Sequence, residues 1–152
     1  MTIVAKLLKR ETELVARFRN TLLREQEILR SGKSDGLAEI NAGKLSLVDS
    51  LNLAGAERAR TLSSSDEATI DMQAWFSAHP SEIEAVELWM GLLETAREAR
   101  AINELNGNLI NVLHQKTSDA LSILTQGKAD QSLYSSNGQA SLSTGSRIID
   151  SA

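Results

Sequence analysis

Residues 2–31 read TIVAKLLKRETELVARFRNTLLREQEILRS, and this segment decides the fold. Its apolar side chains recur at helical spacing and form one wide stripe, with charged residues on the opposite side. The stripe consists of Val4, Leu7, Leu8, Leu14, Val15, Phe18, Leu22, Ile28 and Leu29. The pattern predicts a long amphipathic helix that buries one face against other helices.

Two glutamates, Glu11 and Glu25, interrupt this apolar stripe. The simpler interpretation places both carboxylates at the rim of the stripe, in contact with water. The alternative is that they are polar features inside the helical seam, where a polar residue sets the register between helices. The first helix alone leaves both interpretations open.

Composition limits the class of protein. The chain has 152 residues, no cysteine, one proline and a formal net charge of −4. This length suits one domain with a hydrophobic core of its own. The missing cysteines exclude disulfides and zinc–thiolate sites, and the acidic balance disfavours nucleic-acid binding. Because no export signal and no apolar run of about 18 residues is evident, we expect a cytoplasmic protein without membrane insertion.

A second long helix is predicted over about residues 35–62, after the turn Ser31-Gly32-Lys33-Ser34-Asp35-Gly36. Gly32 suits a left-handed C-cap, and either Ser34 or Asp35 can cap the next helix. Two long helices joined by so short a connection form an antiparallel hairpin.

A shorter helix is predicted over about 66–78, with Ser64 and Glu67 at capping-box spacing. Pro80 ends it, and a long last helix follows over about 81–126. The second part of the apolar stripe on this last helix is expected to face the core; it consists of Ile102, Leu109, Ile110, Leu113, Leu121 and Leu124. Whether Gly107 divides this helix in two stays open.

The fold class is therefore all-α: an elongated antiparallel bundle of three long helices and a short connecting helix. From Gly127 the sequence holds seven serines and three glycines and loses the helical period. Such a composition cannot bury enough apolar surface to fold alone. We expect a helical bundle over residues 1–127 and a flexible, partner-docking tail over 128–152.

No arrangement of side chains points to catalysis, a metal or a cofactor. The two histidines, His79 and His114, lie 35 residues apart and lack the glutamate spacing of helical metal sites. His79 is expected at the surface or as a helix cap, and His114 on a helix surface. We expect a protein that is not an enzyme and that binds other proteins.

Two clusters each allow two interpretations. The first cluster is Asn103, Asn106 and Gly107, in a predicted helix where asparagine lowers helix stability. In one interpretation Gly107 lets a neighbouring helix approach closely and an inward asparagine hydrogen-bonds across that helix interface. In the other, the segment is a partner-binding patch. Around Pro80, the large aromatic residues form either the wide end of the core or an exposed recognition patch; these are Trp75, Phe76 and Trp89.

Four segments together resemble the FlgN family of bacterial flagellar type III export chaperones. They are LLREQEIL (22–29), INAGKLSLVDSL (40–51) with AERARTL (56–62), INELNGNLINVL (102–113) and LYSSNGQASLSTGSRIIDSA (133–152). The resemblance runs from about residue 14 to the C-terminus in the family's order, and the last two segments are the most specific.

The resemblance implies a chaperone for the hook–filament junction proteins, the first and third hook-associated proteins. It would prevent their premature assembly and deliver them to the cytoplasmic domain of the flagellar export gate, with the export ATPase complex as a further candidate partner. Tyr134 matches the tail tyrosine implicated in gate docking. The tail residues expected to bind protein are Leu133, Tyr134, Gly138, Gln139, Leu142, Ile148 and Ile149. A helical adaptor or coiled-coil assembly protein is the alternative.

Overall fold

Four helices make up the part of the chain that the structure describes. The computed structural model describes residues 1–63 and 69–129, with side chains up to residue 125. The helices are α1 (Ile3–Ser31), α2 (Leu37–Leu62), α3 (Met72–Ala78) and α4 (Ile83–Ala129). No strand occurs in these two ranges, and the predicted all-α fold of three long helices and one short helix is confirmed.

Local hydrogen bonds cap both ends of α1, the first helix of the α1–α2 hairpin. The Thr2 hydroxyl accepts from the Ala5 N–H at 3.2 Å and caps α1. At the other end Gly32 has φ 74° and donates its N–H to the Leu29 carbonyl, the predicted left-handed C-cap. The predicted Ser34 or Asp35 cap is wrong, because Gly36 at φ 88° precedes α2 and no side chain caps that helix.

Helix α3 begins later than predicted. Asp71 caps it by accepting the N–H groups of Gln73 and Ala74 at 3.0 and 3.2 Å. Ile70, just before that cap, is not helical, so the predicted start at 66 is wrong. The Ser64–Glu67 capping box lies outside the described residues.

Pro80 lies in a turn, and α4 follows it as one continuous helix. The Glu82 N–H donates to the His79 carbonyl at 3.1 Å across this turn. His79 is the C-cap of α3, as expected, and its ring stacks on Trp75 with centroids 3.9 Å apart. α4 starts at Ile83 and does not break at Gly107.

The chain divides into two units, Met1–Leu109 and Ile110–Ala152. In the first unit the buried positions repeat every seven residues on all three long helices. They include Leu8, Val15, Leu22 and Leu29 on α1, Ile40, Leu47 and Ala54 on α2, and Ala85, Leu92, Ala99 and Asn106 on α4. This is the packing pattern of a left-handed helical bundle.

The large aromatic residues belong to the same core. Trp75, Phe76 and Trp89 are half-buried and pack against the cluster that contains Val4, Leu8 and Met72 among others. The Trp75 and Phe76 rings meet edge to face, with centroids 5.5 Å apart. Their interpretation as part of the core is confirmed.

Candidate protein-binding surface

Glu11 and Glu25 lie inside the bundle, and each pairs with a cation of α2. Glu11 is 5% exposed, and its carboxylate accepts from Arg58 Nε at 2.6 Å and Nη2 at 3.2 Å. Glu25 is 2% exposed, and both its oxygens lie 3.1 Å from Lys44 Nζ. The interpretation that places these glutamates at a water-exposed rim is wrong. A carboxylate buried this deeply needs a paired charge, because desolvation penalises it otherwise.

Each of these two buried ion pairs also contacts α4, and we call each group of contacts an ionic layer. The Arg58 guanidinium lies over the Trp89 ring at 5.0 Å, a cation–π contact. In the other layer Asn106 Nδ2 donates to Glu25 Oε1 at 2.9 Å and to the Leu22 carbonyl at 2.8 Å. Both layers therefore connect all three long helices.

Asn106 is the inward asparagine of the Asn103–Asn106–Gly107 group. It is 1% exposed, and its Oδ1 is buried without a hydrogen-bond partner. Asn103 is exposed, while Gly107 is half-buried and a Cβ built on it meets no heavy atom within 4 Å. The predicted close helix approach at Gly107 is therefore wrong for the described part of the chain.

Beyond the first unit, α4 presents apolar side chains to solvent. In residues 110–125 no side chain is buried, although the predicted stripe continues there. Exposed fractions are 46% for Ile110, 52% for Val112, 56% for Leu121, 71% for Ile123 and 67% for Leu124. The prediction that this part of the stripe faces the core is wrong. We call it the distal α4 face and define it by these five residues with Leu113 and Ala120.

The opposite side of this helix segment is polar. It carries Asn111, Gln115 and Ser118, among others, and the Gln115 amide donates to Asp119 Oδ1 at 2.8 Å. His114 is an exposed helix-surface residue, as expected. An exposed apolar stripe with a polar back is the pattern of a helix that binds another helix, and here only Lys116 and Thr117 interrupt the stripe.

The tail residues predicted to bind protein all lie outside the described residues; they are Leu133, Tyr134, Gly138, Gln139, Leu142, Ile148 and Ile149. Within residues 1–63 and 69–129, no three His, Asp or Glu side chains group in a way that could hold a metal ion. No helix in the described ranges has the length and apolarity needed to cross a bilayer.

These features define a class: an all-helical protein with a heptad-repeat core, two buried ion pairs within it and an exposed amphipathic helix segment. The family described as FlgN protein matches residues 1–141. The "Flagella synthesis protein FlgN" of Yersinia enterocolitica is 30% identical over 135 residues, which span 88% of this chain and 86% of that protein. The chain belongs to the FlgN family, which confirms the resemblance found in the sequence. No solved structure matches the chain.

Proposed function

We propose that this protein is a flagellar export chaperone that binds hook-associated junction proteins in the cytoplasm and delivers them to the type III export gate. Membership of the FlgN family supports the chaperone role. The observation that carries the binding function is the distal α4 face, where five large aliphatic side chains are 46–71% exposed. No catalytic role belongs to this function.

The proposed client site is this face. A junction protein needs amphipathic terminal helices in order to assemble, and such helices associate prematurely when they are left uncovered. Helix-in-groove recognition covers them with apolar anchors spaced three, four and seven residues apart. Leu113, Ala120 and Leu124 have this spacing, and Ile110 and Ile123 widen the contact.

The tail provides the proposed link to the export gate. Residues 128–152 combine a serine-rich composition with spaced apolar residues, and Tyr134 offers a large apolar ring with one hydroxyl group. Ordering such a segment on a partner costs about 2–5 kcal/mol, which keeps the complex releasable. Release is what a delivery protein requires.

Binding and protection of the client test the proposal directly. Purified chain mixed with the terminal fragment of the first or third hook-associated protein is expected to form a 1:1 complex on size-exclusion chromatography. The fragment in the complex should resist a protease that degrades it alone. A chain that binds neither protein in solution contradicts the chaperone function and favours a permanent structural adaptor.

A substitution in the tail separates delivery from client binding. Tyr134→Ala is expected to weaken binding to the cytoplasmic domain of the gate, because the anchor ring is lost, while client affinity stays unchanged. Ser135→Ala is the matched control in the same segment. Equal loss of both affinities in Tyr134→Ala would place this tyrosine in the client site instead.

A further inference from the structure

The distal α4 face has a pattern that reads the same in both directions. Residues 109–124 are LINVLHQKTSDALSIL, in which every apolar and every polar position is symmetric about the point between Lys116 and Thr117. In an α-helix with about 100° between successive residues, that midpoint falls at the centre of the apolar face. Leu113 and Ala120 then lie almost on the centre line.

We propose that, without a client, this face pairs with the same face of a second copy of the chain in an antiparallel, two-fold symmetric helix pair. A two-fold interface must be self-complementary, so residue i meets residue j and j meets i. A pattern that is symmetric on reversal keeps apolar residues opposite apolar residues on both sides of the axis, with the polar pair Lys116 and Thr117 at the centre.

The size of the side chains fits this pairing. With the two pattern centres aligned, Leu113 of one copy lies opposite Ala120 of the other, and the reverse contact repeats on the other side of the two-fold axis. A large residue against a small one lets helix surfaces interlock. The exposed fractions also fit the pairing, because Ile123 and Leu124 are 71% and 67% exposed in the single chain and a second copy can cover them.

The charges at the contact are also balanced. Lys116 and Asp119 lie on the same side of the centre line, about 50° and 110° from it, and the two-fold axis brings the corresponding side of the second copy alongside. Each Lys116 then lies near both Lys116 and Asp119 of the other copy, and the four charges sum to zero. Lys116 has no ion pair within the described part of this chain, and Asp119 accepts only from Gln115, at 2.8 Å.

The pairing concerns this chain alone and does not depend on the identity of the client. Its consequence for delivery rests on the proposed function: a client that uses the same face must displace the second copy. The chaperone would thereby shield its own apolar surface until a client arrives.

Charge variants of the full chain test the pairing. Sedimentation of the wild type at up to about 100 μM is expected to show a monomer–dimer equilibrium. Lys116→Asp and Asp119→Lys each place four like charges at the contact and should weaken self-association about 10-fold or more. An equimolar mixture of the two variants should form a heterodimer, because one copy carries two negative charges and the other two positive charges there.

Cysteine variants test the direction, and the chain contains no other cysteine. Oxidised Thr117→Cys should cross-link to itself across the two-fold axis, while Ser118→Cys on the polar side should not. Leu113→Cys mixed with Ala120→Cys should give a mixed disulfide and no cross-link of either alone. Circular dichroism confirms that each variant is folded.

Three results would overturn the proposal. They are a monomer at every concentration, a dimer insensitive to both charge variants, and a Leu113→Cys chain that cross-links to itself, which requires a parallel pair or an antiparallel pair in another register. None of them bears on client binding, which is measured with a different molecule.

Discussion

Glu25 is one of the two buried glutamates through which the three long helices are connected. Its carboxylate pairs with Lys44 of α2 and accepts from Asn106 of α4, and it is 2% exposed. A carboxylate in such a position is stabilised only while its partners remain, because removal of one partner leaves a charge buried without compensation.

Replacement of Lys44 should therefore be costly. We expect Lys44→Ala to lower the free energy of unfolding by about 2–3 kcal/mol, somewhat less than for fully buried pairs, since the Lys44 side chain is itself 22% exposed. Urea denaturation measures the change. The matched control is Lys9→Ala, which breaks the exposed Lys9–Glu13 pair and should leave the midpoint unchanged. Equal midpoints for the two variants would contradict a buried ion pair at Glu25.

The burial of the two glutamates could have been predicted from the sequence with one further step. In an antiparallel hairpin whose turn is centred between Ser34 and Asp35, residue i faces residue 69 − i. That relation pairs Glu11 with Arg58 and Glu25 with Lys44, the two bridges found. The stripe on α1 alone could not show it, because the partner charges belong to the other helix.

At the scale of the helices, the sequence predicted their number, order and most ends, and missed the start of α3, which the Asp71 cap sets. Heptad spacing and Gly32 defined α1 correctly, since both act within a few residues of the chain. The prediction that the distal half of α4 faces the core was wrong for a different reason. An apolar stripe predicts that a face binds something, but it does not distinguish the protein's own core from a partner.

Replacement of two glycines of the hairpin by alanine is expected to change the stability of the fold in opposite directions. Gly32→Ala should destabilise the fold by about 1–2 kcal/mol, because the C-cap needs φ 74° and an L side chain is strained there. Gly43→Ala should stabilise it by about 0.5–1 kcal/mol, because Gly43 lies inside α2 and a Cβ there meets nothing within 4 Å.

Thermal unfolding of both glycine variants beside the wild type measures the difference. Changes of the same sign in the two variants would contradict either the left-handed turn at Gly32 or the open surface at Gly43.

At the scale of the whole molecule, ionic layers connect the three long helices in the first unit, and the apolar side chains of α4 in residues 110–124 are exposed or half-buried. Family membership could be predicted from four short segments, whereas the exposed distal α4 face could not, because exposure follows from the fold. The tail residues from Leu133 to Ile149 keep their predicted role as a docking segment, with Tyr134 as the anchor.

The most direct test of the account is a calorimetric titration of the chain with the terminal fragment of a hook-associated protein. Ile123→Asp puts a charge into the distal α4 face and should weaken binding at least about 100-fold, since a buried, unpaired carboxylate is heavily penalised. Met90→Asp changes a residue of α4 that is 64% exposed, against 71% for Ile123, and should leave affinity unchanged. Undiminished binding by Ile123→Asp, or equal loss in both variants, would contradict the distal α4 face as the client site.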